Sequence, residues 1–267
     1  MNSNSEEAKK YIKKIKLNKI KIVFAQLLIL VSFLLLWELL SSKEIINSFL
    51  FSSPSAIFKL LKQYIKTGEL YTHISISVYE TILGLIICTS LGIIIAIILW
   101  WSKTLAKIMD PFLVVLNALP KTALAPIFII WAGTGVKGIV VVAISISLIL
   151  TIISAYNYFI SIDEEKIKML KSFGASKWQI LSKLVIPGNM VNLVNIIKIN
   201  IGMSWVGVIM GEFIVSRAGI GYLVVYGSQI FKLDLVMMGV LVLAIIAYIM
   251  YQIINILEKT LKKKLSK

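Results

Sequence analysis

Six long, continuously apolar runs limit what this chain can fold into. They cover approximately Ile22–Leu40, Ile74–Trp100, Phe112–Trp131, Gly138–Ile160, Met190–Ile214 and Leu235–Leu257. A bilayer core needs roughly 20 mostly apolar helical residues to cross it, and each run comes close to that length. Inside hydrocarbon every backbone N–H and C=O must find its partner within the protein, which leaves helices or closed barrels. Barrel strands would be shorter and would alternate in polarity, so the runs predict helices. The expected fold class is therefore all-α: an integral membrane protein built as a bundle of about six transmembrane helices. The first run follows a lysine-rich segment, as a signal peptide would. It ends in Trp37-Glu38-Leu39-Leu40 rather than in small residues, so it is expected to be retained as a span.

The charges are placed as a membrane chain would place them. Of the 28 basic residues 27 are lysines, and most lie between the apolar runs or at the chain ends rather than within them. If the N-terminus is inside, the inside segments carry 19 basic residues and the outside segments seven. That bias predicts a multi-pass membrane protein with both termini in the cytoplasm. The chain then divides into a lysine-rich cytoplasmic segment (residues 1–21), a transmembrane region (22–257) and a basic cytoplasmic tail (258–267). Within the second of these, Pro54-Ser55 followed by Ile57, Leu60, Leu61 and Ile65 predicts an amphipathic helix on the outer surface. Nucleic acid is an unexpected partner, because the aromatics sit in or beside apolar runs instead of interleaving with arginines. Cys88 is the only cysteine and His73 the only histidine. Together they allow no intramolecular disulfide and no cysteine or histidine metal cluster, and His73 is assigned no chemical role.

The longest predicted cytoplasmic loop, residues 161–187, carries the strongest local signals. Ser161 with Glu164 reads as a capping box, Gly174 suits a left-handed helix end, and Ser176 with Gln179 opens a second helix. Pro187 is expected to stop that helix. Two short helices joined at Gly174 would present Met169, Phe173, Trp178, Leu181 and Leu184 among lysines. Such a surface suits either a soluble partner or the protein's own bundle.

Here the chain resembles a known family. Gly174, nine residues, Leu184, one residue, then Ile186-Pro187 reproduces the spacing of the "EAA…G…I-LP" loop of binding-protein-dependent ABC permeases. Lys168, Met169 and Leu170 stand where that motif has Glu-Ala-Ala. Further segments in order, among them Leu50-Phe-Ser-Ser-Pro-Ser-Ala56, Met109-Asp-Pro111, Leu119-Pro120 and Ile220-Gly221-Tyr222-Leu223, resemble the branch serving sulfonates, taurine, nitrate and thiamine precursors. The resemblance implies an importer subunit that docks an ATPase through Lys168, Met169, Leu170, Phe173, Gly174, Ala175, Ser176, Trp178, Leu184, Ile186 and Pro187. It also implies a place in the bacterial cytoplasmic membrane, an extracytoplasmic solute-binding protein and a second permease copy, most simply a homodimer. On this reading the chain performs no catalysis and holds no cofactor, because ATP and magnesium belong to the partner ATPase.

Ionisable residues inside spans are costly and become candidates for the pathway. Lys121 follows Pro120, and Pro120 and Pro126 both interrupt backbone hydrogen bonding in the third run. Lys121 beside freed carbonyls would suit an anionic solute, or it would pair with a helix end. Glu212 and Ser204 are a second candidate pair, with Arg217 as an alternative partner for Glu212. Gly207 and Gly211 form a Gly-x-x-x-Gly pair that permits close helix approach within the bundle or across a dimer. A secondary transporter or channel is the rival reading, and it would show repeated halves or charged pathway residues on several helices. Neither pattern is found.

Overall fold

The computed structural model describes residues 3–265, and helices are the only regular structure among them. The first helix, α1 (Ser3–Ser42), contains an apolar span from Lys13 to Ser42 that lies almost entirely outside the core. It touches the rest of the chain near its C-terminal end, where Ser41 Oγ donates to the Ser52 carbonyl at 3.1 Å and Glu38 accepts from the Ser55 N–H at 2.9 Å. A single turn, α2 (Ser48–Phe51), leads into α3 (Pro54–Thr67). Ser53 caps α3, Pro54 occupies its first turn, and Gly68 ends it at φ 80°. Helix α3 buries Ile57 and Leu60 against the bundle, as its amphipathic pattern requires.

Four unbroken spans follow: α4 (Glu69–Trp101), α7 (Val136–Ile160), α11 (Met190–Val215) and α13 (Leu233–Leu265). The third expected span differs from a simple helix. It consists of α5 (Lys103–Ala118) and α6 (Lys121–Ala132), which meet at 99°. Leu119 precedes Pro120 and adopts an extended backbone (φ −62°, ψ 139°), because the proline ring disfavours helical geometry in the residue before it. Pro111 and Pro126 sit inside α5 and α6 without breaking them.

The core is the packing of α4, α7 and α11. Small residues set the spacing, since lipid provides no hydrophobic drive for helices to associate. A Cβ on Gly84 would lie 3.0 Å from the Ala143 Cβ, and one on Gly211 would lie 2.9 Å from the Ile139 Cα. A Cβ on Gly207 would run into the Ala143 backbone. The glycine pair of α11 thus faces α7 of the same chain, which resolves the two possibilities left by the sequence. A buried polar chain ties the same three helices together. Asn200 donates to Thr89 Oγ1 at 3.0 Å and accepts from Thr151 Oγ1 at 3.0 Å, and Cys88 Sγ lies 3.5 Å from that hydroxyl. Cys88 is fully buried.

Candidate functional site: the cytoplasmic loop and its links to the spans

Between α7 and α11 lie α8 (Glu164–Ser172), α9 (Lys177–Ile180), a π-turn over Leu181–Val185 and α10 (Ile186–Gly188). Asp163 caps α8 by accepting from the Glu165 N–H at 2.9 Å, whereas Ser161 donates back to the Tyr158 carbonyl at 2.9 Å. The expected Ser161–Glu164 capping box is therefore replaced by an aspartate two residues on, whose carboxylate is the stronger acceptor. Gly174 takes φ 78°, as predicted, and a Cβ there would meet nothing within 4 Å. The Ser176–Gln179 capping box is present in both directions, at 3.3 and 2.7 Å. Pro187 does not stop the second helix as expected. The π-turn widens the helix ahead of it, and the chain continues through α10 into α11 after Asn189. A π-turn shifts the hydrogen-bond register by one residue, so a proline lacking its N–H is absorbed without a break.

This geometry divides the loop residues into two sets. Leu181 is fully buried, and Leu170, Ala175, Leu184 and Ile186 pack around it in a cluster with Ala96, Phe159, Ile180 and Val185. Met169, Phe173 and Trp178 point away from that cluster, with Phe173 81% and Trp178 63% exposed. Lys168, Gly174, Ser176 and Pro187 are exposed around them. The loop is thus a rigid platform that anchors one apolar face and leaves the other free. Its ammonium-bearing residue Lys177 lies 5.2 Å from the Trp101 ring centroid and 5.8 Å from that of Trp100, and donates to the Trp101 carbonyl.

The intramembrane candidates fall in different places. Lys121 sits at the α5–α6 bend, where its ammonium donates to the Asn117 carbonyl at 3.0 Å and to Asn117 Oδ1 at 3.3 Å, satisfying the end of α5. Ser204 is fully buried, and its Oγ has no hydrogen-bond partner among the described residues. Glu212 is 1% exposed and is not paired with Arg217. It accepts from Ser77 Oγ at 2.5 Å, from the Gly221 N–H at 2.6 Å and from the Tyr222 N–H at 3.3 Å. Those amides open α12 (Ile220–Gln229), whose first free N–H groups carry the positive end of the helix dipole. Ser77 Oγ also accepts from the Ile220 N–H at 2.8 Å, and His73 Nδ1 accepts from the Gly219 N–H at 3.0 Å. Lys198 pairs with Glu258, which in turn pairs with Lys262 at 2.6 Å, linking α11 to the loop-side end of α13.

Sequence reasoning missed several of these residues. Glu80 was detectable as an acid inside an apolar run, and it is 1% exposed in the same cluster as Glu212. Ser77, Thr89, Asn200 and His73 gave no periodic signal, and Lys177 looked like any other loop lysine.

The family described as "Binding-protein-dependent transport system inner membrane component" matches residues 88–267. The chain belongs to this family. It is 26% identical over 229 residues to the putative aliphatic sulfonates transport permease protein SsuC of Bacillus subtilis (strain 168), covering 85% of this chain and 83% of that one. It is 24% identical over 233 residues to the taurine transport system permease protein TauC of Escherichia coli (strain K12), covering 85% of each. The formylaminopyrimidine transport permease protein ThiX of Halalkalibacterium halodurans is 24% identical over 191 residues, covering 71% of this chain and 75% of that one. In fold, the chain is similar to a solved chain of the MetNI methionine ABC transporter in an inward-facing conformation, with TM-score 0.60 and 16% identity over 69% of this chain and 94% of that one. This permease is therefore a multi-pass transport subunit of an ABC importer and not an enzyme, since in this family ATP hydrolysis resides on a separate subunit.

Proposed function

We propose that this permease forms one half of a homodimeric pathway for a small organic anion, with both termini cytoplasmic and the loop 161–187 docked on an ATPase. The carrying observation is the platform itself. Met169, Phe173 and Trp178 are large apolar side chains exposed beyond the ends of the spans, held in place by Gly174, the Ser176 cap and the buried Leu181 cluster. Aromatic anchors presented from a rigid base are what a protein interface uses for its central contacts. A solute-binding protein would deliver the solute to the opposite face.

Orientation and docking can be read in one experiment. Ser172 is exposed beside Phe173 and Ser228 is exposed on α12 at the far side. In a Cys88→Ala background, Ser172→Cys should resist an impermeant maleimide in intact cells and react in inverted vesicles, and Ser228→Cys should show the opposite pattern. Added ATPase subunits should protect Ser172→Cys, and Phe173→Ala with Trp178→Ala should weaken that protection about 30-fold, as expected from losing contacts worth about 2 kcal/mol. Labelling of Ser172→Cys from outside, or protection unchanged by the two alanines, would overturn this reading.

The anionic solute is supported by the names of the sulfonate and taurine relatives and by Lys121, a cation at the bend where α5 ends and α6 begins. The solute class can be tested with labelled taurine and a short alkanesulfonate as transport probes. Lys121→Met should reduce initial uptake about tenfold or more, the scale of one charge-assisted hydrogen bond, while ATPase binding is unchanged. Equal uptake by wild type and Lys121→Met would remove Lys121 from the pathway, and no uptake of either probe by wild type would remove sulfonates as the solute class.

A further inference from the structure

With ATPase docking on the loop as its premise, we propose that Lys177 is the positioning residue that passes movement of the docked loop to α4, and through α4 to the far side of the membrane. Three contacts converge on its ammonium: the faces of Trp100 and Trp101 at 5.8 and 5.2 Å, and the Trp101 carbonyl. All three belong to the last turn of α4. That turn contains no basic residue of its own. Its unpaired carbonyls carry the negative end of the helix dipole, so a cation from α9 is held there both by the dipole and by two ring faces. Lys177 is also the first residue of α9, between the exposed Phe173 and Trp178, so it sits on the part of the loop that a partner would push.

The other end of α4 gives this grip a destination. The helix runs 33 residues without a proline, about 50 Å at the usual rise, and is fixed sideways by close contact of Gly84 with Ala143 and Gly92 with Thr151. At its far end His73 and Ser77 hold the Gly219 and Ile220 amides, and Ser77 also donates to Glu212 of α11. A displacement of the cytoplasmic end of α4 therefore acts on the first turn of α12. Helix α11, which follows the loop in the chain, also reaches that turn through Glu212, so it is the Lys177 side chain that distinguishes the α4 route.

Amide hydrogen exchange of the purified permease–ATPase complex in lipid nanodiscs, nucleotide-free and trapped with MgATP and vanadate, separates docking from transmission without requiring the solute. In wild type, trapping should change exchange at residues 164–180, 97–101 and 219–229. In Lys177→Met the change at 164–180 should persist. The changes at 97–101 and 219–229 should shrink about fivefold, the equilibrium factor of one cation–π and carbonyl contact of about 1 kcal/mol. Lys177→Arg should restore them, because guanidinium also stacks on indole. Trp101→Leu provides an independent test that leaves the loop sequence intact, and it should match Lys177→Met with no further loss in the double variant. If Lys177→Met keeps the full response at 219–229, coupling runs through α11 or the buried Ala96–Leu181 cluster instead and the proposal is wrong. Loss of the 164–180 response in Lys177→Met would make Lys177 a docking contact, which also overturns it. Absence of any response at 164–180 in wild type would refute docking itself, and the proposal with it.

Discussion

Glu212→Leu is expected to produce one of the two largest losses of stability among single substitutions in this permease. Leucine matches the side chain in bulk but removes the acceptor of Ser77 Oγ and of the Gly221 and Tyr222 amides, in a site where Glu212 is 1% exposed. Each buried donor left without a partner costs about 1–3 kcal/mol, and three are left at once. The first turn of α12 would lose its capping groups on the α11 side while keeping His73 and Ser77 on the α4 side. Limited proteolysis should therefore open the segment 216–229 before the rest of the bundle unfolds. Thermal unfolding in detergent should fall well below wild type, with Glu212→Gln in between, since one amide oxygen still accepts. An unchanged melting temperature for Glu212→Leu would show that the cluster contributes nothing to holding α12.

Gly207→Leu should be the other severe substitution, and a neighbouring glycine provides its control. A Cβ at position 207 collides with the Ala143 Cα and would lie 3.1 Å from the Ala143 N and 3.2 Å from its Cβ, so the obstacle is mostly helix backbone that cannot rotate away. The α7–α11 pair would have to separate, at an overpacking cost of about 1–3 kcal/mol or more. Separation would also break the Thr151–Asn200 hydrogen bond, leaving Asn200 Oδ1 without its donor in a membrane core. At Gly202 the added Cβ meets nothing within 4 Å, and Gly202→Leu should be tolerated. Fluorescence-detected size exclusion of the two variants makes the comparison. Equal yields of monodisperse protein would mean that the close approach of α7 and α11 is not needed.

The spans, the amphipathic α3 and much of the cytoplasmic loop were legible in the sequence because their causes are local. Twenty apolar residues demand a helix wherever they lie in a bilayer, Gly174 takes φ 78° because only a residue without Cβ does so cheaply, and Ser176 reaches an amide three residues away. The same locality explains the errors. Ser161 and Asp163 compete for one helix end, and Pro187 was read without the π-turn that accommodates it.

Other features depend on which helices become neighbours, which no run of residues encodes alone. Leu181 and Trp178 are both large and apolar and lie three residues apart, yet one is fully buried and the other 63% exposed, because α4 and α7 cover only one side of the loop. Glu212 could have faced Arg217 in sequence, but the return of α12 places two amides and Ser77 closer to it. The 99° bend needs Pro120, but the proline only permits it, and packing of α6 against α7 fixes its angle. The sequence by itself determined that the chain crosses a membrane and where it presents a structured loop, because bilayer thickness and backbone hydrogen bonding act on every segment separately. Tertiary structure alone decided which polar groups meet inside the bundle, because in hydrocarbon a buried donor is satisfied only by whichever helix is brought within about 3 Å of it.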